Sequence, residues 1–241
     1  MDDCAASLAS SSASSIALNG TQLVADPGGA LYWPAERTLI VADLHLEKAS
    51  SYAARGVPLP PYDTRATLAA LRTAVRRHAP ERVICLGDSF HDAGGPARLD
   101  ASDAAALGAA IRAVREWIWV AGNHDPAPPP CLGGHVVADG LVLGPLLFRH
   151  AAAFEATPGE VSGHYHPKAS VAVRGRRVTG RCFVADRRRL VMPAFGALAG
   201  GLDVFDPALA ALFPGDFQVH LIGRRQVATL ARARLTGAQS T

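Results

Sequence analysis

Lysine is almost missing from this chain: of its 24 basic residues only Lys48 and Lys168 are not arginine. Arginine and alanine both rise with genomic GC content, so the imbalance reads first as compositional drift. Phosphate recognition by the bidentate guanidinium comes second. Cysteine is scarce and scattered. Cys4, Cys85, Cys131 and Cys182 form no C-x-x-C pair, which argues against a thiolate zinc site or a disulfide framework and implies a reducing compartment. Cys85, inside the run Val83 to Leu86, reads as a small buried hydrophobe. Long apolar runs are absent too. Leu141 to Phe148 is broken by Gly144 and Pro145 and falls far short of the ~18 residues of a membrane span. The start, Met1-Asp2-Asp3 followed by serine and alanine, has neither the basic nor the apolar region of a secretory signal. A soluble cytoplasmic protein with no membrane partner is expected.

What is present is a series of metal-capable residues, each closing an apolar run: Asp43 and His45, Asp88, Asn123 with His124 and Asp125, and His164 with His166. Carboxylate and amide oxygens mixed with imidazole nitrogens suit a hydrolytic site for manganese, iron or zinc. These residues must converge on one point, so the stretch between them should be one folded unit, and 49% hydrophobic residues can fill its core. The expected layout is a flexible tail over residues 1–18, rich in serine and alanine, one domain over 19–230, and a second tail over 231–241.

Thr38 to Ala42, Arg82 to Leu86 and Trp117 to Ala121 are short and apolar, as strands covered on both faces would be. They deliver Asp43, Asp88 and Asn123. Between them, Leu68, Leu71 and Val75 share one helical face after an Asp63 cap, and Leu107, Ile111 and Val114 share another after Ser102 or Asp103. Beyond a proline-rich bend from Pro126 to Pro130 come short β-like runs at 135–137, 146–149, 159–163, 169–173, 181–185, 189–193 and 217–221. Strand, helix, strand, helix, strand and then mostly antiparallel strands predict an α/β fold, a β-sandwich of two sheets flanked by helices.

If the backbone stays extended through Asp43 and His45, both side chains leave on the same side, and His164 and His166 repeat that spacing. Gly163 would let the backbone approach closely. Asp88 is the natural bridge between two cations, since a carboxylate has two oxygens. Asn123 adds a neutral oxygen, and His150, at the end of the run Leu146 to Arg149, completes seven ligands. A single histidine at a strand end is usually just hydrogen-bonded; seven such residues at strand ends are where α/β sheets put ligands. His124 is left to protonate a leaving alkoxide, with Asp125 orienting its ring, or to donate to a substrate phosphate. Lys48, His91 and Glu47 could orient ligands or meet substrate, or be ordinary loop polarity.

The set D-x-H, G-D, G-N-H-D and G-H-x-H, in this order with a histidine between the last two, resembles the calcineurin-like metallophosphoesterase superfamily. Asp43 to Lys48, Leu59 to Thr64, Gly87 to Asp92, Gly163 to Lys168 and Met192 to Gly196 are similar to the ligase-associated DNA-damage-response metallophosphoesterases of the PdeM type. One departure is Ala151 after His150, where many superfamily members have glycine. The resemblance implies a metallophosphoesterase-type sandwich of two mixed sheets holding two divalent metal ions, manganese first, with iron and zinc as alternatives. Asp43, His45, Asp88 and His166 would hold one ion, and Asp88, Asn123, His150 and His164 the other. It further implies that the ions lower the pKa of a bridging water and clamp the phosphoryl oxygens while His124 assists the leaving group.

The substrate expected from the resemblance is DNA, single-stranded or damaged, cleaved by a phosphodiesterase or endonuclease in repair, in functional association with a DNA ligase and a helicase. Alternatives are a phosphatase, a nucleotide phosphodiesterase, or a non-catalytic interaction scaffold. Seven arginines between Arg174 and Arg189 could track a phosphate backbone or be solvated hairpin charges, aromatic residues being sparse there apart from Phe183.

Overall fold

Strand Thr38–Ala42 is apolar throughout because both of its faces are covered. Ile40 and Ala42 enter one hydrophobic cluster, Leu39 and Val41 another. In the computed structural model, which describes residues 13–125, 130–224 and 226–237, this strand is the fourth in a seven-stranded sheet. The strands are β1 (Ser14–Leu18), β2 (Thr21–Ala25), β3 (Leu31–Trp33), β4 (Thr38–Ala42), β5 (Arg82–Leu86), β6 (Glu116–Val120) and β7 (His135–Val137), lying side by side in chain order. β1 to β4 pair antiparallel and β4 to β7 parallel. The parallel pairs need crossovers. Helices α1 (Lys48–Ala54) and α2 (Asp63–His78) lie between β4 and β5, and α3 (Gly95–Arg98) and α4 (Ala101–Arg112) between β5 and β6.

The second sheet contains β8 (Leu141–Leu143), β9 (Leu146–Arg149), β10 (Glu160–Ser162), β12 (Arg176–Ala185), β13 (Arg189–Val191), β14 (Gln218–Ile222) and β15 (Val227–Ala231), in the order β15-β14-β12-β13-β10-β9-β8; β11 (Lys168–Val173) joins it by pairing with β12. It is mixed, because β10 runs parallel to both β9 and β13. The sheets meet through Ile40, Ile84 and Ile118 on one side and Phe148, Val161 and Phe183 on the other. Leu68 and Leu71 of α2 and Leu107 of α4 cover the outer face of the first sheet. Leu209 of α5 (Pro207–Ala210), with Leu212 and Phe213, covers the outer face of the second. Among the described residues no helix is long and apolar enough to cross a membrane.

The fold corrects several local expectations. Residues 14–18 are strand β1, not tail: Ile16 and Leu18 are buried, and β2 pairs with the whole segment. Residues 1–12 lie outside the described residues. At the other end Ala231 closes β15 and Leu235 packs against a core cluster, so that tail begins later than expected, and residues 238–241 lie outside the described residues. The bend over 126–129 also lies outside them. Asp63 does not cap α2. It is the first helical residue, and its Oδ2 accepts the Ala49 N–H at 3.0 Å. α4 is capped by Asp100, whose carboxylate accepts the Asp103 N–H, so the acid just upstream took the role expected of Ser102 or Asp103.

Candidate metal centre

Asp43, Asp88 and Asn123 follow the C-terminal ends of the parallel strands β4, β5 and β6, while His150 follows β9 and His164 and His166 follow β10. The two sheets thus bring their strand ends to one rim. Two donor groups form there: Asp43 with His45 and His166, and Asp88 with His150 and His164.

The extended backbone expected through the two D-x-H and H-x-H pincers does not persist. Asp43 (φ 54°), His45 (φ 44°), His164 (φ 71°) and His166 (φ 48°) are all left-handed, as is Asp88 (φ 45°). Such conformations cost ~1–3 kcal/mol each in non-glycine residues and gather at functional sites. The chain turns sharply at each of these residues instead of running straight, and neighbouring loops hold the turns. His45 N–H donates to Asp88 O at 2.9 Å, and Phe195 N–H to Ala42 O at 2.8 Å.

In the first group His45 Nε2 lies 3.3 Å from His166 Nε2, which lies 3.3 Å from Asp43 Oδ1. In the second, His164 Nδ1 is 3.1 Å from His150 Nε2, which is 3.4 Å from Asp88 Oδ2. Ligands at ~2.0–2.2 Å from one cation sit roughly 3.0–3.6 Å apart along the edges of an octahedron or tetrahedron. The nitrogen and oxygen donors therefore fit a divalent ion in each group. The groups adjoin, with His150 Nδ1 3.8 Å from Asp43 Oδ1.

Each carboxylate is held by a backbone amide, Asp88 through one oxygen and Asp43 through both, its Oδ1 lying 3.2 Å from the His164 nitrogen as well. Asp88 Oδ1 accepts the His124 N–H at 2.9 Å, and Asp43 Oδ2 accepts the His164 N–H at 2.9 Å. Asp88 Oδ2 is left facing the donors, so bridging would use one oxygen rather than the two expected from the sequence. His150 donates its Nδ1–H to Leu86 O at 3.1 Å, which aims the Nε2 lone pair into the group. Asn123 is exposed and links Gly122 to His124. Gly163 meets its expectation: a Cβ there would lie 2.6 Å from Asp43 Oδ2.

Electrostatics follow from burial and crowding. Burial and the adjacent His166 pull His45 down to about 3, against the Asp88 charge. Burial acts in the same direction on His150, but the bond to Asp88 and the charges of Asp43 and Asp88 outweigh it and lift that ring to about 9. Burial would raise Asp88, yet His150 and the His124 N–H hold it far below the usual carboxylate range. Burial, Lys48 and His124 press His91 down to about 4.

His124 stands over this rim with Nε2 3.9 Å from Asp88 Oδ2. Asp125 does not orient it. The buried Asp125 carboxylate turns inward, where Oδ2 accepts the Phe90 N–H at 2.9 Å. The ring is held by the His91 carbonyl, which accepts Nδ1–H at 2.8 Å, and the His91 ring stacks against it. Lys48 is half-buried at the start of α1, near enough for its charge to act on both His45 and His91. Glu47 is buried and bound to the Thr64 hydroxyl at 2.9 Å, so it braces the loop and does not reach the rim.

Sequence reasoning missed the residues behind the ligands. Asp63 and Thr64 bond the Asp43 to Lys48 loop through Ala49 and Glu47. Arg181 donates to Ala194 O at 2.7 Å and so fixes the segment whose Phe195 and Gly196 amides bond Ala42 and Asp43. For Asp63, Thr64, Phe195 and Gly196 the signal is their presence in Leu59 to Thr64 and Met192 to Gly196, segments that carry the family resemblance; Arg181 lies in neither. The arginine-rich stretch is not one patch. Arg174, Arg176 and Arg177 lie at or just before the start of β12 and Arg187 and Arg188 beyond its far end, while Arg189 is buried with Glu160 and Phe183 lies in the core.

A family model for calcineurin-like phosphoesterases matches residues 36–174. Among solved structures the chain is similar to the nuclease MPE of Pseudomonas putida, with 28% identity and a TM-score of 0.69 over 90% of this chain and 100% of that one. It is also matched, at 15% identity and a TM-score of 0.42, to Yfce, a phosphoesterase from E. coli, over 80% of this chain and 98% of that one. No curated protein sequence gives a significant match. The matched residues take in both donor groups and more than half of the chain, and on that ground the chain belongs to the calcineurin-like phosphoesterase family.

Proposed function

We propose that this chain is a metal-dependent phosphodiesterase that cleaves DNA, single-stranded or damaged, as an endonuclease. The observation that carries the reading is the pair of adjoining donor groups with the His124 imidazole above them. The likeness to a Pseudomonas putida nuclease over nearly the whole chain supports a nucleic-acid substrate.

Asp43, His45, Asp88 and His166 would hold one divalent ion and Asp88, Asn123, His150 and His164 the other, with manganese first and iron or zinc as alternatives. Bound there, two cations activate water and neutralise charge on the phosphoryl oxygens. The chain's own residues do the rest. The His124 amide on Asp88 fixes which of its oxygens faces the ions, the His164 amide steadies the Asp43 carboxylate, and Leu86 fixes the tautomer of His150. In its protonated form His124 keeps Nδ1–H on the His91 carbonyl and presents Nε2–H, the proton handed to the departing oxygen. Lys48 and His91 flank that path and would meet the substrate.

A cytoplasmic repair role, in functional association with a DNA ligase and a helicase, is supported by the PdeM-type segments Leu59 to Thr64 and Met192 to Gly196. The decisive experiment assays manganese-loaded protein and its His124→Ala variant on single-stranded, nicked and duplex DNA and on bis-aryl and mono-aryl phosphates. Cleavage of DNA and the diester is expected. Monoester turnover without diester turnover would replace the reading with a phosphatase, and a protein that retains no metal and cleaves nothing would be a scaffold.

A further inference from the structure

The hairpin of β11 and β12 projects from the metal rim. Lys168, two residues after His166, pairs with Arg181 at its base, and Val173 pairs with Arg176 at its tip. A rise of ~3.3 Å per residue carries the tip about 17 Å beyond that base. From Ala172 to Thr179 every residue is exposed, Val173 and Val178 at 48% and 46%, so the outer half stands clear of the core clusters. A two-stranded ribbon in water is marginal on its own. Its turn is also unusual. Arg174 (φ 49°) and Gly175 (φ 74°) form the two left-handed positions of a tight hairpin, and arginine occupies the place where asparagine, aspartate or glycine is favoured.

Three guanidinium groups therefore stand at the end of an unpacked arm. Among the described residues, Arg174, Arg176 and Arg177 make no salt bridge. Arg177 donates to Ser170 Oγ at 3.0 Å on the face that begins at Lys168, so the polar side of the ribbon leads back toward His166. The base is keyed to the site through Arg181 and Ala194. No aromatic residue lies between Lys168 and Arg181, which suits contact with a charged backbone and not base stacking.

We propose that this ribbon is a phosphate-gripping arm that holds single-stranded DNA several nucleotides from the scissile bond, Arg174, Arg176 and Arg177 each meeting backbone phosphate. The inference rests on the DNA reading above. It explains why cations without acidic partners cluster on the exposed outer half of a hairpin whose inner half, with Ala169, Val171 and Cys182, belongs to the core.

The test compares the wild type with the combined variant Arg174→Ala, Arg176→Ala and Arg177→Ala, both loaded with manganese. kcat/KM on a single-stranded oligonucleotide is measured across a salt series, beside hydrolysis of a bis-aryl phosphate too small to reach the arm. The variant is expected to lose roughly tenfold on DNA at low salt, with a log–log salt slope shallower by up to ~2, at ~0.7 per phosphate contact. Aryl diester turnover should be retained, which also reports correct folding. Equal DNA cleavage with the same salt slope overturns the arm alone. A wild type that cleaves the aryl diester but no DNA overturns the nuclease reading and the arm with it. A variant whose sedimentation changes while DNA turnover does not would make the arm a contact between copies of this chain, and the proposal would fall.

Discussion

The Nδ1–H of His124 donates to the backbone carbonyl of His91 at 2.8 Å. A carbonyl can only accept, so the bond fixes the tautomer and leaves Nε2 facing the donor groups, 3.9 Å from Asp88 Oδ2. His124→Ala should therefore lose kcat in proportion to how poor the leaving group is, on the order of 10² to 10⁴ for an alkoxide and far less for an activated aryl oxide. Metal content should not change. A uniform loss across leaving groups would mean that the ring binds phosphate and does not donate the proton.

Asp125 gives a contrasting variant. Its carboxylate is pushed up to about 7 by burial, against the amides of Phe90 and Ser89 and with the nearby Asp88 adding to the rise. Oδ2 is the acceptor for Phe90 N–H. Asp125→Ala strands buried amides, so chemical denaturation should show a loss of ~1–3 kcal/mol. Because no bond joins Asp125 to His124, the leaving-group dependence of kcat should keep its wild-type slope. A slope that steepens as in the proton-transfer defect would show that Asp125 orients the ring after all.

Gly122 tests the carboxylate geometry. A Cβ on it would collide with the backbone nitrogen and Oδ1 of Asp88 and come within 2.9 Å of Asp125 Oδ1. Backbone cannot yield as a side-chain tip can. Gly122→Ala should displace Asp88 and reduce manganese binding below two equivalents in calorimetric titration, with far-UV dichroism unchanged. Full stoichiometry at wild-type affinity would refute the proposed role of Asp88 between the two groups.

These cases show which parts of the molecule could be read from sequence. The runs leading to Asp43 and Asp88 are apolar on both faces, a pattern local enough to mark buried parallel strands and their ends. Period and composition say nothing about torsion, so the left-handed turns at Asp43, His45, His164 and His166 were invisible, and an extended pincer was the natural error. The same holds for long-range bonds. Asp125 follows His124 in sequence and looks like its partner, yet the carbonyl of His91, 33 residues away, takes that place. Ser14–Leu18 reads as tail because serine and alanine before it mask the alternation of Ile16 and Leu18, which only the facing sheet makes meaningful.

That first strand supplies a pH prediction. Ser14 Oγ and Thr229 Oγ1 lie 3.1 and 3.0 Å from His220 Nδ1, tying β1 of one sheet to β14 and β15 of the other. Burial pulls His220 down to about 4 from its ordinary 6.5, so the folded protein keeps the ring neutral where the unfolded chain protonates it. The native state then binds fewer protons than the unfolded state between those two values, and stability must fall as pH drops through that window. The loss begins below pH ~6.5, grows at about 1.4 kcal/mol per unit and levels off at about 3 kcal/mol near pH 4, below which both states carry the proton. Guanidinium unfolding of the wild type and of His220→Gln at pH 7.5, 5.5 and 4.5 checks it. The wild type should lose stability more steeply than the variant over that range, and parallel curves would show that another group carries the pH dependence. Asp26, held below its usual range by His78, Gly28 and Arg77 despite burial, loses its stabilising contribution only as pH falls below about 4, so its acid transition lies beneath the His220 window and the two can be separated in one series.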